Sequence, residues 1–526
     1  MGDPLGLLAV VGQFIQQMNL VNLSTSIHRL AKLADKDPEV NLAVTHSDLF
    51  DELLRNLHGK LIHSQGLACL HQTLSNVAWS LAHLYAGDVE LLGLIASLST
   101  RNIQGFKPFE LSMLLWGFAK AGAADTVSEA VGALFRAAGT CIVGNVGSFS
   151  FRSLAMIVWA FATARQKEQR LLSGIAAEMR RTAHAANCQE IGNTVWAFAS
   201  IGHRDRRLLA AMAQVATPRI NDFKAQEISN MLWGFATLGF WNEEVFMRSL
   251  QVALTMELGS QHLAIILWSC AKIMPTHSAM DELVIRLAPL CTVRLGAFKP
   301  QEISSTLQAL AKVMLPEEEL AVPGPPLHED VLVLLESLAQ WVACNGHLLS
   351  PSSFATAVNF VILLGVRAER RLDLVVEQVM MLKAELFTPT ERVSLLQAFL
   401  ASPTPARAAV SVLAAGVLRC MDTLHSSDCQ ALGRACLASQ GESLDGECPT
   451  PAELSMWLLA VAGGLPPSGL GLGPHEPDAC PEAVCETEAS SEVSYLEDDM
   501  PLGSEYRLPT AESLPFLVWR PADGGR

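Results

Sequence analysis

One short motif built around a tryptophan recurs six times in this chain of 526 residues and constrains its fold more than any other feature. The copies are TLSNVAWSLAHL, ELSMLLWGFAKAG, SLAMIVWAFATAR, EIGNTVWAFASIG, EISNMLWGFATLG and HLAIILWSCAKI. Their tryptophans are Trp79, Trp116, Trp159, Trp196, Trp233 and Trp268, separated by 37, 43, 37, 37 and 35 residues. A period near 37 residues predicts an array of structural repeats.

Weaker copies of the motif flank these six and carry other residues at the tryptophan position, which we call the slot. The slot residues of these copies are His28, Gln308, Asn359, Gln397 and Arg434. We therefore predict about eleven repeats over residues 20–440, with the best-defined repeats in 70–275 and a loop insertion at 315–330. Degenerate outer copies are typical of the capping repeats of such arrays.

Each repeat carries the signals of a helical hairpin. Relative to the slot, apolar residues fall at −5, −2, −1, +2 and +3, which is the stripe of an amphipathic helix. Asn187 and Thr388 at −9 are N-cap residues, Glu at −6 completes a capping box, and Gly202 at +6 ends the helix. A second apolar stretch follows, for example at 243–258. Two helices in about 37 residues predict an all-α fold, an α-solenoid of two-helix repeats.

The two ends of the chain differ from the array. We assign residues 1–19 to an N-terminal extension and predict that residues 441–526 form a low-complexity, mostly disordered acidic tail. The formal net charge of −16 is unevenly distributed. Residues 101–274 contain 17 basic and 12 acidic residues, whereas residues 470–526 contain 3 and 12. A mildly basic array is thus joined to an acidic tail, and the global charge does not argue against a polyanionic partner.

The motif core L-L-W-[GA]-F-A-x-x-G on this period resembles the octotricopeptide repeat and the related repeats that precede RAP domains in organellar RNA-binding proteins. The sequence departs from those families because the Pro-rich start of the second helix is absent and no RAP domain is recognisable. The resemblance implies an α-solenoid that binds single-stranded RNA and acts with other RNA-processing proteins. It also implies a mitochondrial or chloroplast location, although the N-terminus shows no presequence, which leaves the cytoplasm open.

Polar residues at −3 and +4 of the first helix are the first set of candidate RNA-binding residues. These positions are seven residues apart and share one helix face. A protein that recognises one RNA base with each repeat requires such an arrangement. A solvated helix face has the same pattern, so both interpretations stay open. The candidates are Asn76, His83, Lys120, Asn193, Asn230, Thr237, Lys272 and Lys312.

Arginines near the turn between the two helices are the second set of candidates, as contacts to phosphate. They are Arg165, Arg170, Arg204 and Arg207. A solvated, salt-bridged surface is the alternative explanation. For the six slot tryptophans, base stacking is conceivable, but flanking apolar residues favour a structural role in the repeat core.

The sequence contains no signature of an enzyme or metal site, and we expect no catalysis, metal, cofactor, small-molecule substrate or membrane insertion. The leading hypothesis is an RNA-binding helical-repeat protein that acts in organellar RNA processing, stability or translation. The alternative is a protein-binding scaffold of the armadillo or HEAT kind. A weaker third hypothesis is a divergent member of the FAST-kinase-like group.

Overall fold

The structure is a computed structural model that describes residues 3–34, 37–64, 70–122, 128–274, 277, 279–314, 328–363, 379, 386–401, 407–438 and 449–463. Within these ranges the regular elements are α-helices and short 3-10 turns, and no strand occurs. The fold is therefore all-α, a solenoid of two-helix repeats, as the sequence predicts. The described residues divide into two compact units, one up to Met280 and one from Asp281.

The first unit contains fifteen of the described helices. In chain order they are α1 (Pro4–Phe14), α2 (Leu20–Ala34), α3 (Pro38–Thr45), α4 (Asp48–Ile62), α5 (Leu70–Leu84), α6 (Val89–Arg101), α7 (Pro108–Lys120), α8 (Ser128–Gly144), α9 (Phe151–Thr163), α10 (Gln169–Arg181), α11 (Cys188–Ile201), α12 (Arg206–Ala216), α13 (Ala225–Thr237), α14 (Glu243–Ala253) and α15 (Ser260–Ile273).

Two layers of helices build this unit. The first layer contains the slot helices α2, α5, α7, α9, α11, α13 and α15, and each packs directly on the next. The second layer contains α4, α6, α8, α10 and α12, each in contact with the next, together with α14. The predicted N-terminal extension is not a separate appendage, because α1 packs on α2, α3 and α4.

The remaining helices are α16 (Ala279–Arg294), α17 (Pro300–Met314), α18 (Glu329–Asn345), α19 (Pro351–Leu363), α20 (Pro389–Ala401), α21 (Arg407–Leu418), α22 (Ser426–Ala438) and α23 (Pro451–Gly463). In the second unit, α17, α19, α20 and α22 carry the slot residues and pack in that order. All eleven predicted slots thus lie on helices.

Helix α23 corrects the predicted start of the tail at residue 441. It buries Leu454 and Leu458 and packs on α21 and α22, so helical structure extends to Gly463. Its local signal is a Thr450–Glu453 capping box, in which the Glu453 carboxylate accepts a hydrogen bond from the Thr450 N–H at 2.8 Å. The rest of the predicted tail, 464–526, lies outside the described residues. Residues 315–327 of the predicted loop insertion also lie outside the described residues. The end of that predicted insertion is helical, because Glu329 and Asp330 begin α18.

The predicted N-terminal signals of the first-layer helices are present as hydrogen bonds. Asn187 and Glu190 form a reciprocal capping box, with the Glu190 N–H donating to Asn187 Oδ1 at 2.8 Å and the Asn187 N–H donating to Glu190 Oε2 at 3.1 Å. In another repeat the N-cap residue is Lys224, whose side chain has no acceptor atom. Only the Glu227 half of the capping box forms there, with the Glu227 carboxylate accepting a hydrogen bond from the Lys224 N–H at 2.9 Å. The glutamate at −6 therefore satisfies a helix N-terminus even where the N-cap side chain cannot.

A left-handed residue at +6 ends five consecutive first-layer helices. Gly122, Gly202 and Gly239 have φ angles of 65°, 71° and 61°, as the C-terminal signal predicts. Two repeats have other residues at this position, Tyr85 with φ 52° and Arg165 with φ 54°.

By length and composition, the segment Glu329–Leu348 passes the test for a membrane-spanning helix, the one such segment in the described part of the chain. Helix α18, which forms most of it, buries Leu334, Leu335 and Leu338 and packs on α19. A one-sided buried stripe of this kind is typical of a helix that packs against protein.

Candidate nucleic-acid interface

The slot lies on the side of each first-layer helix that faces away from the second layer. With 100° between successive residues, positions −7, −3, 0 and +4 fall in one 60° sector, and +2 falls opposite. The +2 residues meet the second layer: Phe161 of α9 packs on Phe135 of α8 at 4.9 Å between ring centroids, and Phe235 of α13 packs on Phe246 of α14 at 6.4 Å. We call the side with −7, −3, 0 and +4 the ladder face.

The slot residues of adjacent helices form a continuous row of rings along the ladder face. Ring centroids are 5.9 Å apart for Trp116–Trp159, 6.5 Å for Trp159–Trp196 and 6.4 Å for Trp196–Trp233. At the start of the row, His83 lies between Trp79 at 3.9 Å and Trp116 at 5.1 Å. The interplanar angles of these three tryptophan pairs are 31°, 31° and 32°, so successive repeats are related by nearly the same rotation.

Burial restricts what the tryptophans can do. Trp79, Trp116, Trp159, Trp196 and Trp268 are only 2–8% exposed, and Trp233 is half-buried. Since neighbouring rings and the +4 side chains cover them, a nucleobase would find little free ring surface. The row therefore packs one repeat against the next and fixes their register.

The predicted positions −3 and +4 differ in accessibility. Asn193, Asn230 and His83 are buried, and Asn76 is half-buried. Lys120 and Thr237 are half-buried at +4, whereas Lys272 and Lys312 are exposed. Lys312 belongs to the second unit, whereas the other candidates belong to the first. The end of the first-layer helix is thus more accessible than its middle.

Two of the +4 lysines lie beside the row of rings. Lys120 Nζ is 5.7 Å from the Trp116 ring centroid, and Lys272 Nζ is 4.7 Å from that of Trp268. These are cation–π distances, so each aromatic ring positions a cation at the C-terminal end of its helix. A cation there also complements the helix dipole.

Exposed basic residues cluster at the turns that follow α9 and α11 and in the first turns of α10 and α12. The six residues are Arg165, Lys167, Arg170, Arg204, Arg206 and Arg207. The two turns are neighbours, because His203 in the second turn is 3.2 Å from Gln169 at the start of α10 (Nδ1 to Oε1). We call these six residues the turn edge.

The turn edge carries few compensating negative charges. Its acidic residues are Glu168 and Asp205, and Asp205 accepts hydrogen bonds from the backbone N–H groups of Arg207 and Leu208 as the N-cap of α12. In the part of the chain that the structure describes, no ion pair within 4.0 Å involves any of the six. A salt-bridged surface therefore does not account for them.

Arg204 also has a structural contact. Its guanidinium Nη2 donates to the carbonyl of Gly239 at 3.0 Å and so satisfies the C-terminal end of α13. By contrast, Arg165, Arg170 and Arg207 extend from the surface without a side-chain hydrogen bond in the described part of the structure. These three are the clearest phosphate-binding candidates in the predicted set.

Buried titratable groups on the first layer are structural. Burial raises the pKa of the Glu190 and Glu227 carboxyls above their ordinary range, against the opposing effect of their backbone hydrogen bonds. The pKa of His28 is lowered to about 4, chiefly by burial and further by Lys32 and His83. Within the described residues, no group of three or more His, Cys, Asp or Glu side chains is arranged to hold a metal ion.

Position −7 is a member of the ladder face that the motif analysis did not select. It is Gln in several repeats, and Gln226 donates from Nε2 to Asn230 Oδ1 at 2.8 Å. Its Oε1 is 3.4 Å from His262 Nε2 of the next first-layer helix, so this residue links two repeats. The 100° helical periodicity would have identified it, as it groups −7 with −3 and +4.

A family model described as RNA-editing substrate-binding complex 6 protein matches residues 74–323, just under half of the chain. The match spans all six tryptophan repeats and relates the array to RNA-associated helical proteins. It does not single out the octotricopeptide or RAP-associated repeats that the motif resembles. No curated protein matches the chain.

Proposed function

We propose that this protein is a non-catalytic RNA-binding helical-repeat protein that acts in organellar RNA processing, stability or translation. The observation that carries the proposal is the turn edge, six exposed cations on two adjacent repeats without ion-pair partners among the described residues. The matching family adds support, since its name places that protein in a complex that binds RNA-editing substrates.

The geometry favours single strands over a duplex. Parallel first-layer helices repeat their C-terminal ends side by side, so cations recur along a line at intervals set by helix packing, about 8–10 Å. A flexible single strand can follow such a line and place successive phosphates against Lys120, Arg165, Arg170 and Arg207. Binding of this kind releases counterions and weakens as salt increases.

One observation favours a protein-binding scaffold as the second candidate. Helix α1 exposes Leu5, Val10 and Phe14, and the neighbouring Leu42 of α3 is also exposed. Exposed large apolar side chains suit a protein partner. Within the RNA proposal, this end of the array would contact other RNA-processing proteins.

Charge reversal at the turn edge tests the proposal. The variant carries Lys167→Glu, Arg170→Glu and Arg207→Glu, and the matched control carries Arg55→Glu, Arg101→Glu and Arg136→Glu on exposed sites of α4, α6 and α8. Affinity for a fluorescein-labelled single-stranded RNA is measured by anisotropy across a salt series. We expect the turn-edge variant to bind the RNA at least tenfold more weakly. The slope of log K against log salt should become shallower by about 2, because each of the three lost phosphate contacts contributes about 0.7.

Equal losses in the two triple variants would show non-specific charge attraction and contradict the assignment. The cellular part of the proposal is tested by crosslinking the tagged protein to RNA in cells and sequencing the bound RNA. Enrichment of mitochondrial or chloroplast transcripts is expected. Recovery of no transcript above background would refute the organellar RNA function.

A further inference from the structure

The turns that follow α9, α11 and α13 close in the same way. In each turn the backbone N–H at +7 donates to the carbonyl at +2, at 2.9, 3.0 and 2.8 Å respectively. The donor and acceptor residues are Gln166 and Phe161, His203 and Phe198, and Phe240 and Phe235. In two of the turns the ring at +7 also packs on the ring at +2, with centroids 5.6 and 5.1 Å apart. The residues at +8 therefore leave the three turns at equivalent positions.

Position +8 is a cation in two of these turns and a tryptophan in the third. Lys167 and Arg204 belong to the turn edge, and Trp241 occupies their position in the next repeat. Trp241 is 39% exposed, which makes it the most exposed tryptophan in the described part of the chain. Tryptophan is highly buried on average in folded proteins. This repeat therefore presents an aromatic surface in line with the cations of the two repeats before it.

Contacts within the protein hold the Trp241 ring in place. Its centroid lies 5.1 Å from that of Phe246, at an interplanar angle of 44°, and 6.0 Å from that of His277. Because Phe246 is fully buried, the indole rests on the core of the repeat. A ring that is fixed before binding loses little conformational entropy when a ligand stacks on it. Trp241 thus combines a fixed orientation with an exposed surface.

The charged groups around Trp241 favour a base over a phosphate at the ring itself. Arg204 is held against the same turn, since its Nη2 donates to the Gly239 carbonyl at 3.0 Å, and this bond uses one of the five N–H donors of the guanidinium. After Trp241 in the chain, Glu243 and Glu244 are exposed in the first turn of α14. Carboxylates repel a phosphate but not a neutral base. A nucleotide therefore fits this turn with its base on the indole and its phosphate towards the guanidinium.

We propose that Trp241 stacks on a base of single-stranded RNA and that Arg204 binds the adjoining phosphate. This inference rests on the proposed RNA-binding function and extends the contact surface from the turn edge to the next repeat. Every base has a π-face, so the contact adds affinity without strong sequence preference. Exposed tryptophan also occurs where proteins bind proteins, but the equivalence with Lys167 and Arg204 favours the polyanionic partner that these cations attract.

Substitutions in the full-length chain separate the aromatic ring from its packing. Trp241→Leu keeps an apolar side chain against Phe246 but removes the ring, and its affinity for a fluorescein-labelled single-stranded RNA should fall about tenfold, within the range for one stacked base. The slope of log K against log salt should stay at the wild-type value, because no phosphate contact is lost. Trp241→Phe keeps a ring and should recover most of the affinity. The matched control is Phe109→Ala, which removes a 56% exposed ring at the N-terminal end of α7 and should bind as the wild type does.

Tryptophan fluorescence measures the stacking itself. Unlabelled RNA should quench part of the wild-type emission, because a stacked base contacts the indole. This part should be missing in Trp241→Phe, although that variant still binds RNA. The buried slot tryptophans are present in both proteins, so the difference between the two titrations reports on Trp241. This measurement does not depend on the stability of Trp241→Leu.

Wild-type affinity in Trp241→Leu, or RNA-dependent quenching that persists in Trp241→Phe, would overturn this inference and leave the proposed function intact. A shallower salt slope in Trp241→Leu would also overturn it, because the lost affinity would then come from displaced cations. Absence of RNA binding by the wild type would refute both proposals.

Discussion

Close packing of two first-layer helices, α7 and α13, depends on glycine at +1, directly after the slot, and this gives a quantitative prediction. A Cβ added at Gly234 would lie 2.7 Å from the Val195 carbonyl oxygen and 2.8 Å from its carbonyl carbon, where ordinary contacts are 3.4–4 Å. Because the obstacle is the backbone of α11, no rotamer change relieves it. Helices α11 and α13 must separate by about 0.7 Å in Gly234→Ala.

The expected cost follows from two opposing effects. Overpacking costs about 1–3 kcal/mol, and replacing glycine by alanine inside a helix returns about 1 kcal/mol. With a rigid obstacle, we expect a net loss of about 1–2 kcal/mol in the free energy of unfolding. Gly174→Ala in α10 is the matched control, since nothing lies within 4 Å of its new Cβ, and it should gain about 0.5–1 kcal/mol.

Urea unfolding followed by tryptophan fluorescence measures this difference, since seven of the ten tryptophans lie before Met280 in the described residues of the first unit. We predict that the free energies of unfolding of the two variants differ by about 1.5–3 kcal/mol, with Gly234→Ala the less stable. If Gly234→Ala were as stable as Gly174→Ala, the close approach of α11 and α13 would be wrong, and with it the register of the row of rings.

Two further predictions concern titration and thiol reactivity. Because the fold holds His28 neutral, the stability that this residue contributes above its ordinary pKa of 6.5 should be lost as the pH falls towards 4. The variant His28→Phe keeps a ring beside Trp79 but cannot titrate. Its urea midpoint should therefore drop less between pH 7 and pH 5 than that of the wild type. Equal drops would exclude His28 as the cause. Burial raises the pKa of the Cys291 thiol to about 12 and raises that of Cys270 further. Iodoacetamide should therefore alkylate the exposed Cys344 first and leave Cys270 and Cys291 unmodified until the protein unfolds. Mass spectrometry of the native protein after alkylation measures this order. Modification of Cys270 at the rate of Cys344 would contradict the packing of α15.

The repeat period, the helix caps and the two-helix unit could be predicted from the sequence because each depends on local chemistry. Asn187 and Glu190 bond within one turn, and Gly202 needs only its own φ angle. Such signals recur in every copy, and the repetition removes ambiguity. Helix α23 has the same kind of signal in its Thr450–Glu453 capping box. The overall composition of the surrounding segment favours disorder, however, and that composition led to the prediction of a disordered tail.

The depth of each side chain could not be predicted, because it depends on how closely neighbouring helices approach. Asn193 and Asn230 have the residue type of a base-reading position, yet both are buried, since small residues such as Gly192 and Gly234 bring the adjacent helix close. The turn edge could be anticipated from its clustered arginines.

Ultraviolet crosslinking of the full-length protein to single-stranded RNA, followed by mass spectrometry of the crosslinked peptides, tests the central claim most directly. We predict crosslinks in the peptides that contain residues 165–170 and 204–207. Crosslinks confined to α6, α8 and residues 171–181 of α10, or their complete absence, would contradict the assignment of RNA binding to the turns that follow the first-layer helices.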